Sequence, residues 1–567
     1  MTLRSSHLLA LATLLTSAAV PHTSWAQTPR GKIEDAEIEI VKERVNELPE
    51  ATRNFEKVKI DPPARQERTV NYTYPDFRLP ADRLNPSVRV LTIRQEDQTP
   101  LTGNYVKLGG GNYGTAYGKA YIHNTRSNDL NYGLNLSHVS SLNGPVDKRN
   151  SGVSQTSVGL MGEKFNGPAT LGAKLDLGRE RYNFYGYNKE ALGFTPSADS
   201  IKQVFHRLAA KVYARNRDTD AQFKYDFGVG FNFWKDRFQA SESNFNASLR
   251  SGYKLSDKGT VSVNGDFSFI RQKDSLSYSR PFVQVTPAYE MSLNRLALSV
   301  GATLGYTGDT VTRAQQFNVY PAIRVGYTLI EDKFVVYGGL GGGLQRVTLY
   351  DLTMENPWLR KNQLVADTHR GPTAYFGINT TPVRALEVNA KVTLSNDRNL
   401  YFYNNSRRDS TKFDLVYDRK STQLVNVHGE IIYNAAEQMR VGVKADYNGY
   451  KVHTLARAYH RPAFQGMAFG SYNLYGKVLL GAELYSYSSS FGSAYLPDPV
   501  SDPAQYYFEA ARPTDFIFDL NLRADYRFSE KLSIFALGNN LLGRKYERFL
   551  NYPVKGINVL AGVSYEF

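Results

Sequence analysis

Hydrophobic and polar residues alternate with a period of two along several stretches of the chain. The four clearest stretches are 260–269, 386–395, 439–448 and 518–528. In each of them one face is mainly Val, Leu, Ala, Phe or Tyr, and the other is mainly charged, amide or hydroxyl residues. A period of two indicates a β-strand with one apolar face and one polar face. The pattern therefore predicts an all-β protein from about residue 100 onward.

Polar turns separate the predicted strands and give their number. These short turns recur near Asp129, Asn166, Asp218, Asp257, Asn294, Asp332, Arg384, Glu437, Tyr475 and Glu530. Each of the nine intervals between them holds two strands and one loop. One strand before the first turn and two after the last bring the count to 21, whereas bacterial single-chain barrels have an even number. We therefore expect one more strand between about 85 and 112, and predict 22 strands with 20 as the alternative.

The polar faces and the connections indicate which kind of β-protein this is. Charged residues at every second position do not fit a dry sandwich core, but they fit either a soluble one-sided sheet or a wide, water-filled barrel lumen. One set of connections is short and uniform, and the other is long and variable. That asymmetry is typical of outer-membrane barrels, which have short periplasmic turns and longer outer loops. We predict a transmembrane antiparallel β-barrel over 86–567, preceded by a largely irregular periplasmic segment over 27–85.

Composition narrows the classes of function. The chain has 567 residues, no Cys, and 68 Lys and Arg against 54 Asp and Glu, which gives a net charge of +14. The lack of Cys excludes disulfide scaffolds, thiol catalysis and Cys-ligated zinc. A mean hydropathy of −0.43 argues against a bundle of membrane-spanning helices. Histidines occur singly and no Ser/His or Asp/His group is recognisable, so we predict no metal, no cofactor and no enzyme.

The first 26 residues resemble a secretory signal peptide. Arg4 supplies the positive end, Leu8 to Val20 form an apolar segment too short to span a bilayer, and Ser24-Trp25-Ala26 precede the expected cleavage site. Export to a Gram-negative outer membrane follows from this segment together with the barrel pattern. The positive charge is then expected to face lipopolysaccharide and outer-membrane lipid, and not nucleic acid.

The carboxy-terminal strand alternates cleanly. Its predicted outward row is Ile557, Val559, Ala561, Val563, Tyr565 and Phe567. A final aromatic residue with another two positions before it, here Phe567 and Tyr565, resembles the signal read by the barrel assembly machinery. Two glycine runs, 109–111 and 338–343, lie inside predicted strands and lack the Lys-Ser/Thr of a phosphate loop. We interpret them as bends or close approaches of another backbone.

A family resemblance rests on the last part of the chain. The stretch Asn540-Leu541-Leu542-Gly543-Arg544-Lys545-Tyr546, followed by Tyr552-Pro553, resembles the carboxy-terminal end of TonB-dependent receptors. In that family an Asn-Leu-Phe-x-x-x-Tyr stretch opens the penultimate strand, and Leu542 stands here where Phe is usual. The composition, rich in Tyr, Asn and Gly, is similar to that of Bacteroidota members of the family. The resemblance implies a 22-stranded barrel that transports solutes across the outer membrane.

The amino-terminal part departs from the family pattern. TonB-dependent receptors carry a plug of well over a hundred residues, and the segment between Gln27 and Pro100 is too short and too Pro-rich to build one. We expect a reduced or missing plug. One exposed, β-prone stretch stands where a TonB box would be and could pair with the sheet of TonB or another periplasmic partner. It consists of Asp35, Ala36, Glu37, Ile38, Glu39, Ile40 and Val41.

Long predicted loops carry the candidate ligand contacts. These loops are 184–200, 351–370, 403–422 and 491–514. The candidate residues are Trp358, Arg407, Arg408, Tyr506 and Tyr507. Exposed aromatics on loops contact ligands or pack loop on loop, and paired arginines bind phosphates or keep a loop soluble. The sequence therefore predicts an outer-membrane transport protein, with a structural adaptor barrel and an open, porin-like diffusion channel as alternatives.

Overall fold

The computed structural model describes residues 103–567 apart from 125–126, 219, 312–313, 436–437 and 498–506. The signal peptide, the TonB-box-like stretch and the predicted segment 27–85 lie outside the described residues. The described residues include two short helices, α1 (Lys189–Leu192) and α2 (Leu349–Glu355), with 3₁₀ turns at Asn112–Gly114 and Lys148–Ser151. No helix in the described part is long and apolar enough to cross a bilayer.

The described residues form strands over most of their length. In chain order these are β1 (Tyr105–Gly111), β2 (Thr115–His123), β3 (Leu130–Ser141), β4 (Val153–Asn166), β5 (Ala169–Asn183), β6 (Lys202–Asn216), β7 (Phe223–Asp236), β8 (Ser241–Ser256), β9 (Gly259–Lys273), β10 (Ser277–Leu293), β11 (Leu296–Thr307), β12 (Phe317–Ile330), β13 (Phe334–Gln345), β14 (Thr368–Val383), β15 (Leu386–Arg398), β16 (Tyr401–Asn405), β17 (Phe413–Tyr417), β18 (Thr422–Ala435), β19 (Met439–Lys451), β20 (Phe464–Leu474), β21 (Val478–Tyr487), β22 (Phe491–Pro497), β23 (Tyr507–Pro513), β24 (Ile517–Arg527), β25 (Leu532–Asn539), β26 (Glu547–Phe549), β27 (Tyr552–Pro553) and β28 (Asn558–Glu566).

Twenty-two of these strands form one closed antiparallel barrel. Each barrel strand pairs with the next along the chain, and β1 pairs with β28 to close the ring. The additional strand expected near 85–112 is β1, and the prediction of 22 strands is confirmed. The other six strands form three hairpins inside long loops, namely β16–β17, β22–β23 and β26–β27. All ten predicted turns connect barrel strands at one end, which is the expected periplasmic end.

The predicted faces of the strands are confirmed. On β9 the ring of Phe267 points outward and is exposed, whereas the neighbouring Ser268 points into the barrel and is 1% exposed. On β28 Val563 and Tyr565 face outward and Ser564 faces inward. Outward apolar residues that are exposed in the isolated chain form the surface that contacts lipid in a membrane barrel.

Both glycine runs lie where other atoms approach closely, as expected. A Cβ on Gly111 would lie 2.3 Å from the carbonyl oxygen of Val559 in β28. A Cβ on Gly339 would lie 2.4 Å from the carbonyl oxygen of Ile323 and 2.6 Å from the hydroxyl of Tyr375. Only a residue without a side chain fits these positions without a shift of its neighbours.

Candidate functional site: a lid across the outer mouth

The largest buried hydrophobic cluster lies at the end of the barrel that carries the long loops. Four loops contribute to it, 184–201, 346–367, 399–421 and 540–557, and we call this assembly the outer lid. Its buried residues, with those at the adjoining strand ends, are Phe205, Trp234, Ala240, Val347, Leu349, Leu352, Leu359, Val365, Tyr401, Tyr403, Phe413, Phe549 and Tyr552. Loops usually run over the surface and bury little, so a shared core indicates that these loops form one folded layer.

The outer lid spans the mouth from one side to the other. Ten barrel strands, β6 to β15, separate the loop 184–201 from the loop 399–421, which is almost half of the ring. Despite this separation, the Lys412 ammonium lies 4.8 Å from the ring centroid of Phe184. The hydroxyl of Tyr185 also donates to the carbonyl of Pro553, at 3.3 Å, from the loop before β28. Contacts between loops from opposite walls place the layer over the lumen.

Trp358 lies at the centre of this layer. Its ring stacks on Tyr552 with centroids 3.8 Å apart and an angle of 25° between the planes. Its indole Nε1–H donates to the carbonyl of Asn183, at 3.0 Å. Tyr185 and Phe549 meet the indole edge to face. One aromatic side chain thus joins three loops through contacts that favour offset and edge-on geometry.

The barrel wall holds the loop 346–367 by its helix. Thr348 caps α2, accepting a hydrogen bond from the backbone N–H of Asp351 at 3.1 Å. The carboxylate of Glu242, near the outer end of β8, accepts the N–H groups of Leu349 and Tyr350 at 2.9 and 3.1 Å. A carboxylate at the first N–H groups of a helix satisfies donors that have no partner within the helix. The helix is therefore attached to the inner face of the barrel.

A buried ion pair fixes both ends of the same loop. The guanidinium of Arg280, on the inner face of β10, lies 2.8 Å from the carboxylate of Asp367, and both side chains are almost fully buried. Arg280 also donates to the carbonyl of Val347, at 2.5 Å. Asp367 accepts from the Val347 N–H at 3.0 Å and from the Thr307 hydroxyl at 2.7 Å. One pair therefore ties the first and last residues of the loop to the wall.

A third wall residue, Arg207 of β6, reaches the helix from another side. Its guanidinium donates to the carbonyl of Tyr350 and to the Thr353 hydroxyl, the latter at 3.0 Å. It also pairs with Glu180 of β5 at 3.2 Å and lies 4.9 Å from the ring centroid of Tyr350. Because β6 lies seven strands from β13 along the ring, these bonds draw the loop across part of the opening.

His460, from the loop 452–463 beside the lid, joins two of the lid loops, 399–421 and 540–557. The N–H of Leu550 donates to its Nε2 at 3.3 Å, so Nδ1 carries the proton and donates to the carbonyl of Tyr403 at 2.8 Å. The imidazole stacks on Phe549 with centroids 5.4 Å apart and meets the edge of Phe413. Burial lowers the pKa of His460 to about 4, so the ring is neutral at physiological pH.

A polar group closes the other side of the core. The carboxylate of Glu355 accepts the hydroxyls of Tyr401 and Tyr403, each at 3.0 Å. The guanidinium of Arg461 lies 3.7 Å from the same carboxylate and stacks over the Tyr401 ring. Burial and the Glu355 charge raise the pKa of Tyr403 well above its usual value, so it remains a hydrogen-bond donor.

The family motif begins the last of these loops and does not open a strand. Asn540 follows β25, and its φ of 49° ends that strand in the left-handed region, which Asn tolerates. Its side-chain amide donates to the carbonyls of Arg544 and Lys555, at 2.8 and 2.6 Å. The expected position at the start of the penultimate strand is therefore wrong. Leu541 is partly buried and Leu542 is exposed; Tyr546 is buried, with its hydroxyl 3.2 Å from the Asp519 carboxylate.

The predicted ligand contacts fall in different surroundings. Trp358 is half-buried within the lid, whereas Arg407 and Arg408 are exposed at the tip of the β16–β17 hairpin. Tyr506 lies outside the described residues, and Tyr507 begins β23, where its backbone pairs with Pro497. Ligand binding by these residues stays a prediction. Sequence reasoning missed Arg207, Glu242 and Arg280, because alternation shows that they face inward and does not show what they meet.

The geometry fits a gate and offers no catalytic arrangement that we can identify among the described residues. No group of three or more His, Asp or Glu able to hold a metal ion occurs within 103–567, apart from the gaps named above. The lid instead combines a hydrophobic core with a few buried polar ties to the wall. Such an assembly can exist as one closed state and can open when these ties break.

Comparisons with known proteins concern the fold. No protein-family model and no curated protein sequence matches the chain. Among solved structures it is similar to the FrpB iron transporter from Neisseria meningitidis, with a TM-score of 0.63 and 9% identity over 83% of this chain and 82% of that one. It is also similar to the siderophore receptor PirA from Acinetobacter baumannii (TM-score 0.62, 9% identity, 83% and 81% covered). The ferric-catecholate import receptor Fiu from E. coli K12 matches with a TM-score of 0.59 and 11% identity over 82% of each chain. The chain therefore has the barrel fold of these receptors.

Proposed function

We propose that the protein is an outer-membrane transporter of the TonB-dependent-receptor type. The observation that carries this proposal is a closed 22-stranded barrel whose outer mouth is covered by an ordered lid of loops. A permanently open channel would need a free mouth, so the lid favours gated passage over porin-like diffusion. The similarity in fold to iron transporters and siderophore receptors supports the same assignment.

The substrate class that fits best is an anionic iron–siderophore chelate. One of the similar structures is a ferric-catecholate import receptor. The outer surface of this chain exposes the cations Arg407, Arg408, Arg419 and Lys420 on one loop. Clustered cations raise the local concentration of an anionic ligand and speed its capture. The chelate would then meet the lid from outside, next to the aromatic core.

Energy for opening would come from the periplasm through the segment 35–41. An extended, exposed stretch can add a strand to the sheet of a partner such as TonB. Proline at Ile38 and Ile40 removes two backbone donors and prevents that pairing. The test is co-purification of the full chain with TonB, which should be lost in the variant with both prolines. Replacing the same residues with Val, which keeps the backbone donors, should leave binding unchanged.

Ligand capture can be measured with the chain's own tryptophans. Trp234 and Trp358 both belong to or contact the lid core, so a ferric siderophore that moves the lid should change their fluorescence. Replacing both Arg407 and Arg408 with Gln should weaken the affinity at least about tenfold, since even one hydrogen bond to a charged group contributes about 1.5–3 kcal/mol. Lys164→Gln with Lys451→Gln removes two cations elsewhere on the barrel and is the matched control. Equal affinity in all three proteins would contradict the proposed contacts.

A structural adaptor barrel is the second candidate. It is favoured by the density of buried ties in the lid, including the Arg280–Asp367 pair, which suits a permanently closed mouth. The two candidates differ in one result. A transporter takes up labelled chelate into cells that carry TonB, whereas an adaptor shows no uptake and co-purifies with a stable partner through the segment 27–85.

A further inference from the structure

A row of polar residues, among them the cations Arg179, Lys235 and Lys273, crosses the outward face of the barrel near its outer end. The register of β3 to β10 aligns the following residues side by side: His138, Thr156, Arg179, His206, Lys235, Ser241, Lys273 and Ser277. We call this set the basic row. All of its members occupy the face that contacts the membrane or its head groups, because they alternate with lumen-facing neighbours such as Arg207 and Gln272.

The next outward row toward the membrane centre is mostly apolar. It reads Leu136, Val158, Leu177, Leu208, Phe233, Ser243, Arg271 and Ser279. A shallow groove of about 370 Å³ lies across the two rows, with Leu177, Leu208 and Phe233 below and Arg179 and His206 above. On this surface the polar row with its cations lies next to the apolar row, on the side nearer the outer loops. Arg271 extends the positive charge one row deeper on β9.

The cations of these rows have no carboxylate partner among the described residues. Arg179, Arg271 and Lys273 are exposed and Lys235 is half-buried. Neither row contains an Asp or Glu. Arg179, Lys235 and Lys273 occupy every second strand of the row, and like charges without counter-charges repel one another and attract anions.

The remainder of the rim is different. At the outer ends of β25 and β28 the paired outward residues are Gly538 and Val559, and their neighbour on β24 is Leu522. On β19 a single cation, Lys451, ends the outward row. On β15 one exposed outward cation, Arg398, ends the strand. The outward cations of the outer rim are therefore most numerous in the sector from β5 to β9, which a general need for solubility does not explain.

We propose that the basic row binds the phosphate groups of a lipopolysaccharide molecule in the outer leaflet. Arg179 supplies a guanidinium fork suited to phosphate oxygens, and Lys235 and Lys273 supply point charges. The acyl chains of the same lipid cover Leu177, Leu208 and Phe233. The height of the row fits this occupant, because it lies where the apolar belt ends on the side of the long loops. This surface is separate from the lid and does not depend on the transported substrate.

The test uses the full chain purified in a mild detergent and titrated with fluorescent lipopolysaccharide. Lys235→Gln with Lys273→Gln should weaken binding at least about tenfold, and adding Arg179→Gln should weaken it further. Lys164→Gln with Lys451→Gln removes the same charge from outward positions outside the row and should bind as the parent does. Lys235→Arg with Lys273→Arg keeps the charge and should restore binding. Heat-modifiable migration on a gel verifies that each variant retains its barrel.

Two ligand controls decide the nature of the site. Enzymatically dephosphorylated lipopolysaccharide should bind poorly, since the proposal assigns affinity to phosphate. Vesicles of phosphatidylglycerol, whose single phosphate meets only part of the row, should compete weakly. The proposal is overturned if the site variants bind as the parent does, if the control pair loses as much affinity as the site pair, or if dephosphorylated lipid or phosphatidylglycerol binds as tightly as the intact glycolipid.

Discussion

The barrel wall and the outer lid of this protein are built by different rules. In the wall, each strand pairs with its neighbour in sequence, and the alternation of side chains assigns one face to lipid and one to the lumen. In the lid, loops that are far apart in the chain share one core, and polar residues of the wall reach up to hold them. Trp358 and Tyr552 stack although nearly two hundred positions separate them.

This difference has a consequence for stability and movement. The wall is held by continuous rows of backbone hydrogen bonds between neighbouring strands. Breaking any of these rows would expose unpaired N–H and C=O groups to lipid. The lid is held by a few side-chain contacts, each of which one substitution removes. Changes in the lid should therefore alter closure while the barrel persists, and changes on the lipid face of the wall should not affect closure. Four predictions test that separation, from the largest expected effect to the smallest.

Breaking the buried ion pair should have the largest effect. Arg280→Met leaves the Asp367 carboxylate buried without its partner, which costs about 3–5 kcal/mol in comparable cases. We expect the amides of 346–367 to lose protection against hydrogen exchange while those of β9 and β10 keep it. Arg280→Met combined with Asp367→Leu removes both charges and should recover part of the loss. Uniform loss over lid and strands would contradict an independent lid.

Acidification should loosen the lid through His460. Its pKa is about 4 in the closed lid and about 6.5 when the ring is exposed, so the open state binds a proton more readily. The closing contribution is fully present above pH 6.5, falls by about 3 kcal/mol as the pH drops to 4, and changes no further below that. The rate of amide hydrogen exchange in the loop 540–557, followed from pH 7 to pH 4, measures this loss of stability. His460→Gln should flatten the dependence, and an unchanged profile in that variant would assign it to other groups.

Removing the central indole should have a smaller effect. Trp358→Ala leaves a gap between Tyr185, Tyr552 and Phe549, and we expect a cost of about 2 kcal/mol, below the value for a fully buried Trp because the side chain is half-buried. Trp358→Phe keeps an aromatic ring and loses only the bond to Asn183, so it should cost about half as much. Amide hydrogen exchange in the loops 184–201 and 540–557 measures the loss of lid stability in both variants. Leu394→Ala on the lipid face is the control and should not change lid exchange.

The smallest predicted effect concerns one hydroxyl. The Tyr552 hydroxyl donates to the carbonyl of Thr411 and connects the last loop to the β16–β17 hairpin. Tyr552→Phe retains the stack on Trp358 and removes this bond, so closure should weaken by about 1 kcal/mol. The change should show as faster exchange at 406–412 alone. An effect as large as that of Trp358→Ala would mean that the hydrogen bond, and not the stack, organises the core.

The sequence predicts the wall far better than the lid for a physical reason. Successive side chains of a barrel strand face lipid and the lumen in turn, so the local alternation of apolar and polar residues shows the faces of each strand. The same alternation, with the polar turns, gives the turn positions and the count of 22 strands. Arg280 meets Asp367 across 87 positions of sequence, and alternation shows only that Arg280 faces inward. The helix α2 and the loop hairpins depend on such distant partners. Asn540 illustrates the limit, because its motif is recognisable in the sequence whereas its position directly after β25 is not.

The central claim is that the outer lid closes the mouth of the barrel, and thiol labelling tests it directly. The chain has no Cys, so single cysteines can be placed without a background. Ser248→Cys lies on the inner face of β8 beneath the lid, and Ser410→Cys lies on its exposed outer surface. With a membrane-impermeant maleimide applied to whole cells, we predict rapid labelling at 410, none at 248, and labelling at 248 once Arg280→Met is added. Equal labelling of the two positions in the otherwise unchanged protein would contradict a closed mouth.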